Sequence, residues 1–176
     1  MKAAVVEKPG VLVIKEVPVP EISSNQVLIK VQVTSICNAT DNHIFHGVFD
    51  GYHDFYPQIL GHEVSGEIVE AGTEVKNLKP GDLVVLYSAT GAFCEYVAVD
   101  SNWPFMAKVP ETMPLKIRSL SEMLHGAYVS AVYPAQIKEH ESVLIVGQGP
   151  MGLTATATAK LTAGKVFAVD LYEARV

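Results

Sequence analysis

The feature that most constrains the fold is a glycine-rich hexapeptide, Gly147-Gln148-Gly149-Pro150-Met151-Gly152. Before it, Ser142 to Val146 is a short, continuously apolar run of the kind that makes a strand buried in a parallel sheet. After it, an alanine- and threonine-rich stretch reads as a helix to Ala163 that Gly164 ends. Lys165 to Asp170 is a second short apolar strand, so the order is strand, glycine turn, helix, strand: one βαβ unit. The hexapeptide fits G-x-G-x-x-G, and it stands where that pattern has meaning, directly after a strand and opening a helix. Gly147 permits the tight turn, Gly149 lets backbone approach a pyrophosphate, and Gly152 lets helix and strand pack closely. Pro150 and Met151 begin the helix, whose first amide groups attract an anion. Asp170, about 20 residues on, can accept hydrogen bonds from an adenosine ribose. Its charge would repel a 2′-phosphate, which favours NAD over NADP. The plainer reading of the same residues is a tight turn between two buried elements, with Asp170 as a helix cap.

A lone βαβ unit leaves sheet edges unpaired and one face uncovered, a poor place for a domain to end. The 176 residues therefore read as a fragment or as a chain that needs another to finish its sheet, with a naturally short product as the alternative. From Met1 to about Pro110 the pattern is different: many short strands broken by turns. Val11 to Lys15, Gln26 to Thr34, Glu63 to Glu70, Asp82 to Leu86 and Cys94 to Val99 are β-branched and partly alternating, punctuated by Pro18, Pro20, Asn25, Gly72 and Pro80-Gly81. That reads as an all-β, partly closed barrel. Between the two parts, Leu120, Met123, Leu124, Ala127, Tyr128 and Ala131 recur at spacings that suit one face of a helix over Ser119 to Ala135. The division falls into residues 1–118, the barrel, and 119–176, a bridging helix with an incomplete dinucleotide-binding domain.

Composition excludes several roles. A net charge of −6, with no cluster of lysine or arginine, argues against nucleic acid, whose backbone needs concentrated positive charge. No apolar stretch approaches the roughly 20 residues of a membrane span, and the N-terminus lacks the three-part pattern of a secretory signal. Cys37 and Cys94 lie far apart without a CxxC pair, as in a cytoplasmic protein with reduced thiols.

Cys37 and the triplet Gly61-His62-Glu63 carry the remaining chemistry. A catalytic zinc needs a few soft or borderline ligands and one open position. Taken singly, a cysteine is more often a small buried hydrophobe, and a histidine a satisfied polar residue. The surroundings point further. Ile36-Cys37…Thr40-Asp41-Asn42-His43, Leu60-Gly61-His62-Glu63-Val64-Ser65-Gly66-Glu67-Ile68-Val69, Val75…Lys79-Pro80-Gly81-Asp82-Leu83-Val84, Glu95-Tyr96-Val97 and the Gly147 to Gly152 turn closely resemble the zinc-containing medium-chain alcohol and polyol dehydrogenases. The resemblance runs over nearly the whole chain, which is about half of a usual member.

It implies a GroES-like, partly open β-barrel followed by the first βαβ unit of a truncated Rossmann domain. By the resemblance, Cys37 and His62 are the first two zinc ligands, and Glu63 is the neighbouring carboxylate that can approach the metal. The third ligand varies among members; Glu122 stands where many polyol-type relatives have Glu-Pro, although Met123 follows it here. As an alternative, Glu122 simply complements the start of its helix. Thr40 and His43 resemble a proton relay, a hydroxyl that meets substrate and an imidazole that titrates near neutral pH. Asn38-Ala39 make the spacing one residue longer than usual, so either the loop bulges and the relay stands, or the register shifts.

The four-cysteine lobe that binds a structural zinc in many members is absent, since Val85 to Gly91 passes directly into the Cys94 strand. One catalytic Zn2+ and no structural zinc are expected, with Cys94 a packed thiol. The resemblance implies a small-molecule alcohol or carbonyl substrate and a homo-oligomer when full length. Two readings compete: a zinc-free quinone-reductase type on the same fold, and a non-catalytic fragment. His46, His53, His125 and His140 read as ordinary surface or loop residues, and Phe49, Tyr52, Phe55 and Trp103 as either cleft lining or packing.

Overall fold

Strand and helix signals in the sequence map onto two units in a computed structural model, which describes residues 1–48, 56–87 and 91–176. The first unit is Met1–Leu120 and the second Ser121–Val176. In the first, β1 (Lys2–Lys8), β2 (Val11–Glu16) and β4 (Gln58–Ile59) make a three-stranded sheet in the order β2-β1-β4. A larger sheet of order β7-β3-β5-β6-β8 joins β3 (Gln26–Ser35), β5 (Glu63–Ala71), β6 (Leu83–Tyr87), β7 (Tyr96–Asp100) and β8 (Met106–Lys108). All its pairings are antiparallel. The two sheets touch through an isolated bridge from Ala3 to Cys94, so the barrel is open rather than closed.

The alternation seen in the sequence is what builds the core. Val27, Ile29, Val64, Ile68, Val84, Leu86, Val97 and Val99 turn inward from four strands and cluster with Ala92. Register shifts interrupt β3 against β5 between Leu28 and Ile29 and between Val31 and Val33, the local irregularity that curls a sheet towards a barrel. Several elements escape the sequence reading, among them β4, β8 and α1 (Thr40–His46), too short to show a period.

The bridging region departs from the single helix expected over Ser119 to Ala135. A separate short helix, α2 (Leu115–Arg118), precedes that span and is broken from α3 (Ser121–Ala127), which passes into a π-helical turn over Tyr128–Val132. Arg118 explains the first break. Its buried guanidinium donates to the Met113 carbonyl at 2.9 Å and to Gln32 Oε1 at 3.1 Å, tying α2 to β3. Ser130 explains the second: its hydroxyl donates to the Gly126 carbonyl at 2.6 Å, occupying the acceptor that an α-helical amide would use. Tyr133 N–H then reaches Tyr128 O at 2.7 Å, the wider i to i+5 bond.

In the second unit, β9 (Ser142–Val146) and β10 (Lys165–Val169) pair in parallel with Lys165 opposite Ser142, joined by α4 (Pro150–Ala159). The helix ends four residues before Ala163, and i to i+3 bonds at Leu161 and Thr162 tighten its last turn. A sheet buried on both faces was expected, and here the structure differs. Val143, Ile145 and Val166 pack against Ala127, Val132, Ala155 and Ala159, but Leu144, Val146, Phe167 and Val169 are exposed. Only one face has a helix packed on it within this unit.

Candidate functional site

One row of paired residues in the large sheet assembles a candidate metal cluster. Ser35 at the end of β3 pairs with Glu63 at the start of β5, and Glu63 pairs with Tyr87 at the end of β6. Cys37 lies two residues beyond that row and His62 one residue before it. Ligand-type atoms of Cys37, His62 and Glu63 all fall within 4.8 Å of one another, and His62 and Glu63 are buried. Thr34 Oγ1 donates to the Glu63 carbonyl at 2.8 Å and holds the corner. Gly61 supplies the approach: it has φ +93°, and a Cβ there would lie 2.4 Å from the Phe93 ring. Only glycine fits that conformation beside that ring.

A residue passed over in the sequence reading, Asp41, ties the cluster together. It is buried on α1, and its Oδ1 accepts from Gly61 N–H at 3.2 Å and lies 3.3 Å from His62 Nδ1. Its Oδ2 accepts from Cys37 N–H at 2.9 Å. One carboxylate thus fixes both ligand-bearing segments, as metal-binding imidazoles usually require at their second nitrogen. The signal was present in the sequence as an aspartate four residues after the cysteine, but its target, His62, is distant in the chain. Nε2 of His62 is left on the cluster side, 3.9 Å from Glu63 Oε1.

The electrostatics favour a cation here. Burial, the largest influence, pulls the His62 pKa down. The hydrogen bond and charge of Asp41, helped by Cys37, outweigh it and raise the pKa from 6.5 to about 9. Surroundings that hold a proton this firmly suit a metal ion in its place. A thiolate, an imidazole and a carboxylate are the donor set zinc accepts, so the residues fit the metal. Glu122 stands in the other unit, on the first turn of α3, and the three-residue cluster is built without it.

The additional residue after Cys37 is absorbed in the turn Asn38-Ala39. Thr40 then opens α1 with its N–H 3.4 Å from Cys37 Sγ, and Asp41 N–H donates to Cys37 O at 3.2 Å. His43 follows one turn on and is exposed. His46, His125 and His140 are exposed; His53, Phe49, Tyr52 and Phe55 lie outside the described residues. Trp103 packs against the barrel core. Cys94 is half-buried, its thiol donating to Tyr96 O at 3.1 Å and Gly91 O at 3.4 Å, and burial pushes its pKa up.

The glycine turn of the second unit is built by a different set of bonds. Gly147 has φ +92° and donates to Val169 O at 2.8 Å, so the turn closes on the neighbouring strand. A Cβ at Gly152 would stand 1.7 Å from the Gly147 carbonyl oxygen, whereas one at Gly149 meets nothing within 4 Å. Pro150 starts α4, and Met151 is exposed on it. Gln148, buried, is a node the sequence reading missed. Its Nε2 donates to Gly147 O at 3.1 Å, its Oε1 accepts from Thr156 Oγ1 at 3.1 Å, and its backbone N–H donates to Asp170 Oδ2 at 2.6 Å. Asp170 Oδ1 accepts from Tyr172 N–H at 2.9 Å, and Arg175 lies 3.7 Å away. These backbone bonds hold the Asp170 carboxyl below its ordinary pKa. Asp170 therefore does serve the local turn, and an ionised carboxylate retains further lone pairs for a ligand.

Comparison with known proteins agrees with this geometry. Residues 23–111 match the alcohol dehydrogenase GroES-like domain. The L-threonine 3-dehydrogenase of Bacillus velezensis is 33% identical, over 93% of this chain and 54% of that protein. The galactitol-1-phosphate dehydrogenase of Escherichia coli superposes with a TM-score of 0.85 at 27% identity, covering 99% of this chain and 57% of that one. A zinc-binding dehydrogenase of Sinorhizobium meliloti 1021, bound to NADP, gives 0.84 at 26% identity over 99% and 57%. The chain spans about half the length of the curated relatives it matches. With the barrel, the cysteine–histidine–glutamate cluster and these likenesses together, the chain belongs to the zinc-type medium-chain alcohol and polyol dehydrogenase family.

Proposed function

We propose that this chain carries the metal centre and the first phosphate-binding unit of a zinc-dependent, nicotinamide-linked dehydrogenase that interconverts alcohols or polyols and their carbonyl forms. The observation that carries the reading is the Cys37, His62 and Glu63 donor set gathered within 4.8 Å. Those three residues would hold the ion, with Glu122 the competing third ligand. Zinc would supply Lewis acidity towards the substrate oxygen. Asp41 orients His62, and it keeps the Cys37 segment in place through the amide bond. Thr40 is placed by its N–H against the Cys37 sulfur, and its hydroxyl is assigned to the substrate proton. His43, one turn along the same helix face, passes that proton to solvent.

The cofactor reading rests on Gly147, Gly149, Pro150, Met151 and Gly152. Gly149 has open space where a side chain would fit, so the chain's own packing does not demand glycine there; approach of a pyrophosphate does. The negative charge of Asp170 favours NAD over NADP. One zinc per chain, a cytoplasmic setting with Cys37 and Cys94 reduced, and a homo-oligomer complete the proposal. The zinc-free quinone-reductase type is disfavoured by the donor set. The exposed face of β9 and β10 supports a narrower reading, in which this length of chain alone does not turn over.

The test uses protein from the complete reading frame, assayed on a panel of alcohols with NAD and with NADP, before and after chelation. The expected result is NAD-dependent oxidation that falls with zinc content and returns on zinc addition. Undiminished activity in zinc-free protein would sink the proposal.

A further inference from the structure

The aromatic side chains beside the metal cluster form a connected row. Tyr87, the register partner of Glu63, has its ring 5.3 Å from the His62 ring. Phe105 meets Tyr87 at 6.1 Å and Trp103 meets Phe105 at 5.8 Å, both edge to face. Two bonds hold the row: backbone Tyr87 N–H donates to Phe105 O at 3.0 Å, and the Trp103 indole Nε1–H donates to Tyr87 O at 2.6 Å. Tyr87 is 36% exposed and Phe105 47%, while His62 is only 8% exposed. One half-exposed ring, Tyr87, thus adjoins the buried His62 imidazole, and Phe105 extends the same apolar row outward from it.

We propose that Tyr87 and Phe105 are specificity-determining residues, a wall that selects alcohols whose substituent on the reacting carbon is apolar, aromatic above all, over open-chain polyols. The proposal rests on the reading of Cys37, His62 and Glu63 as the metal centre. Ring faces and edges reward an aryl or branched alkyl group, with a well-placed ring pair worth up to about tenfold in affinity. A polyol pressed against them gives up water at several hydroxyls, and polar groups buried without partners are penalised. The three rings offer few polar atoms in return. Tyr87 has its one hydroxyl, and the Trp103 indole N–H is already committed.

Trp103 is the only tryptophan and sits behind the wall, so its emission reports on what docks there. The zinc-loaded chain would be titrated with benzyl alcohol and with glycerol while zinc per chain is counted. Benzyl alcohol is expected to give a saturable, zinc-dependent change with an apparent affinity about tenfold or more above that of glycerol. Tyr87→Leu and Phe105→Leu should each weaken benzyl alcohol severalfold with zinc content unchanged, and Tyr87→Phe should restore it. Glycerol binding as tightly as benzyl alcohol, or leucine variants that leave benzyl alcohol unaffected, would overturn the wall while the metal centre stands. Absence of zinc from the wild-type chain would overturn the metal centre, and the wall with it.

Discussion

Asp41 is the residue on which the proposed metal site turns, because both segments that carry its donors hang from its two oxygens. Asp41→Ala should weaken zinc by about 10- to 100-fold, the usual cost of losing such a partner. Competition with a calibrated chelator measures this, and an unchanged affinity would remove Asp41 from that role. The third ligand is decided the same way: Glu63→Ala should lower zinc affinity, whereas Glu122→Ala should leave it unchanged. Gly149 and Gly152 make a sharper pair. Gly152→Ala drives a methyl into the Gly147 carbonyl and should disrupt the second unit, while Gly149→Ala should preserve circular dichroism and thermal unfolding but lose affinity for immobilised dinucleotide. At this scale the sequence displayed the donor-type residues of the cluster well, since cysteine and the Gly-His-Glu triplet are chemically distinctive. It hid Asp41 and Gln148, whose roles are bonds to partners that only folding brings near.

Among the elements, β3 was readable because apolar and polar residues alternate from Ile29 to Thr34, and β5 and β6 because β-branched and apolar residues run between turn signals. The two residues of β4 and the seven of α1 are too few to show a strand or helix period of their own. The break in the bridging helix was hidden for another reason: Ser130 and Arg118 act through their side chains, against a local pattern that favours continuous helix. The core prediction follows from burial. Ile68→Ala removes a fully buried side chain shared by the strands of the large sheet, and should cost about 2–5 kcal/mol in urea unfolding. The β6–β8 edge has a pH signature. Lys108, 2.9 Å from Asp82, holds that carboxyl below its ordinary value, with the Lys79 amide assisting. A folded pKa below the unfolded one means the pair stabilises above the carboxylate range and loses this as pH falls through the folded pKa. Asp82→Asn should therefore flatten the acid limb of the stability profile slightly, by less than about 1 kcal/mol for so exposed a lysine. An unchanged acid limb would show that the pair contributes nothing.

For the molecule as a whole, the two units differ in how fully each covers its own apolar surface. The barrel buries the inward sides of its large sheet, but β9 and β10 leave Leu144, Val146, Phe167 and Val169 in the open. The sequence announced those strands as buried because apolar runs report what a sheet is built for, not what is packed on it. This chain should bind a hydrophobic dye such as ANS, and Val146→Lys with Phe167→Lys should reduce that binding; equal dye binding would place the exposed surface elsewhere. The central claim, one zinc centre built from the barrel alone, is tested most directly by metal counting on the purified 176-residue chain and its Cys37→Ser variant. About one zinc per chain is expected in the wild type and a large loss in the variant, with the fold retained. Zinc retained in full by Cys37→Ser, or absent from the wild type after exposure to excess zinc, would contradict it.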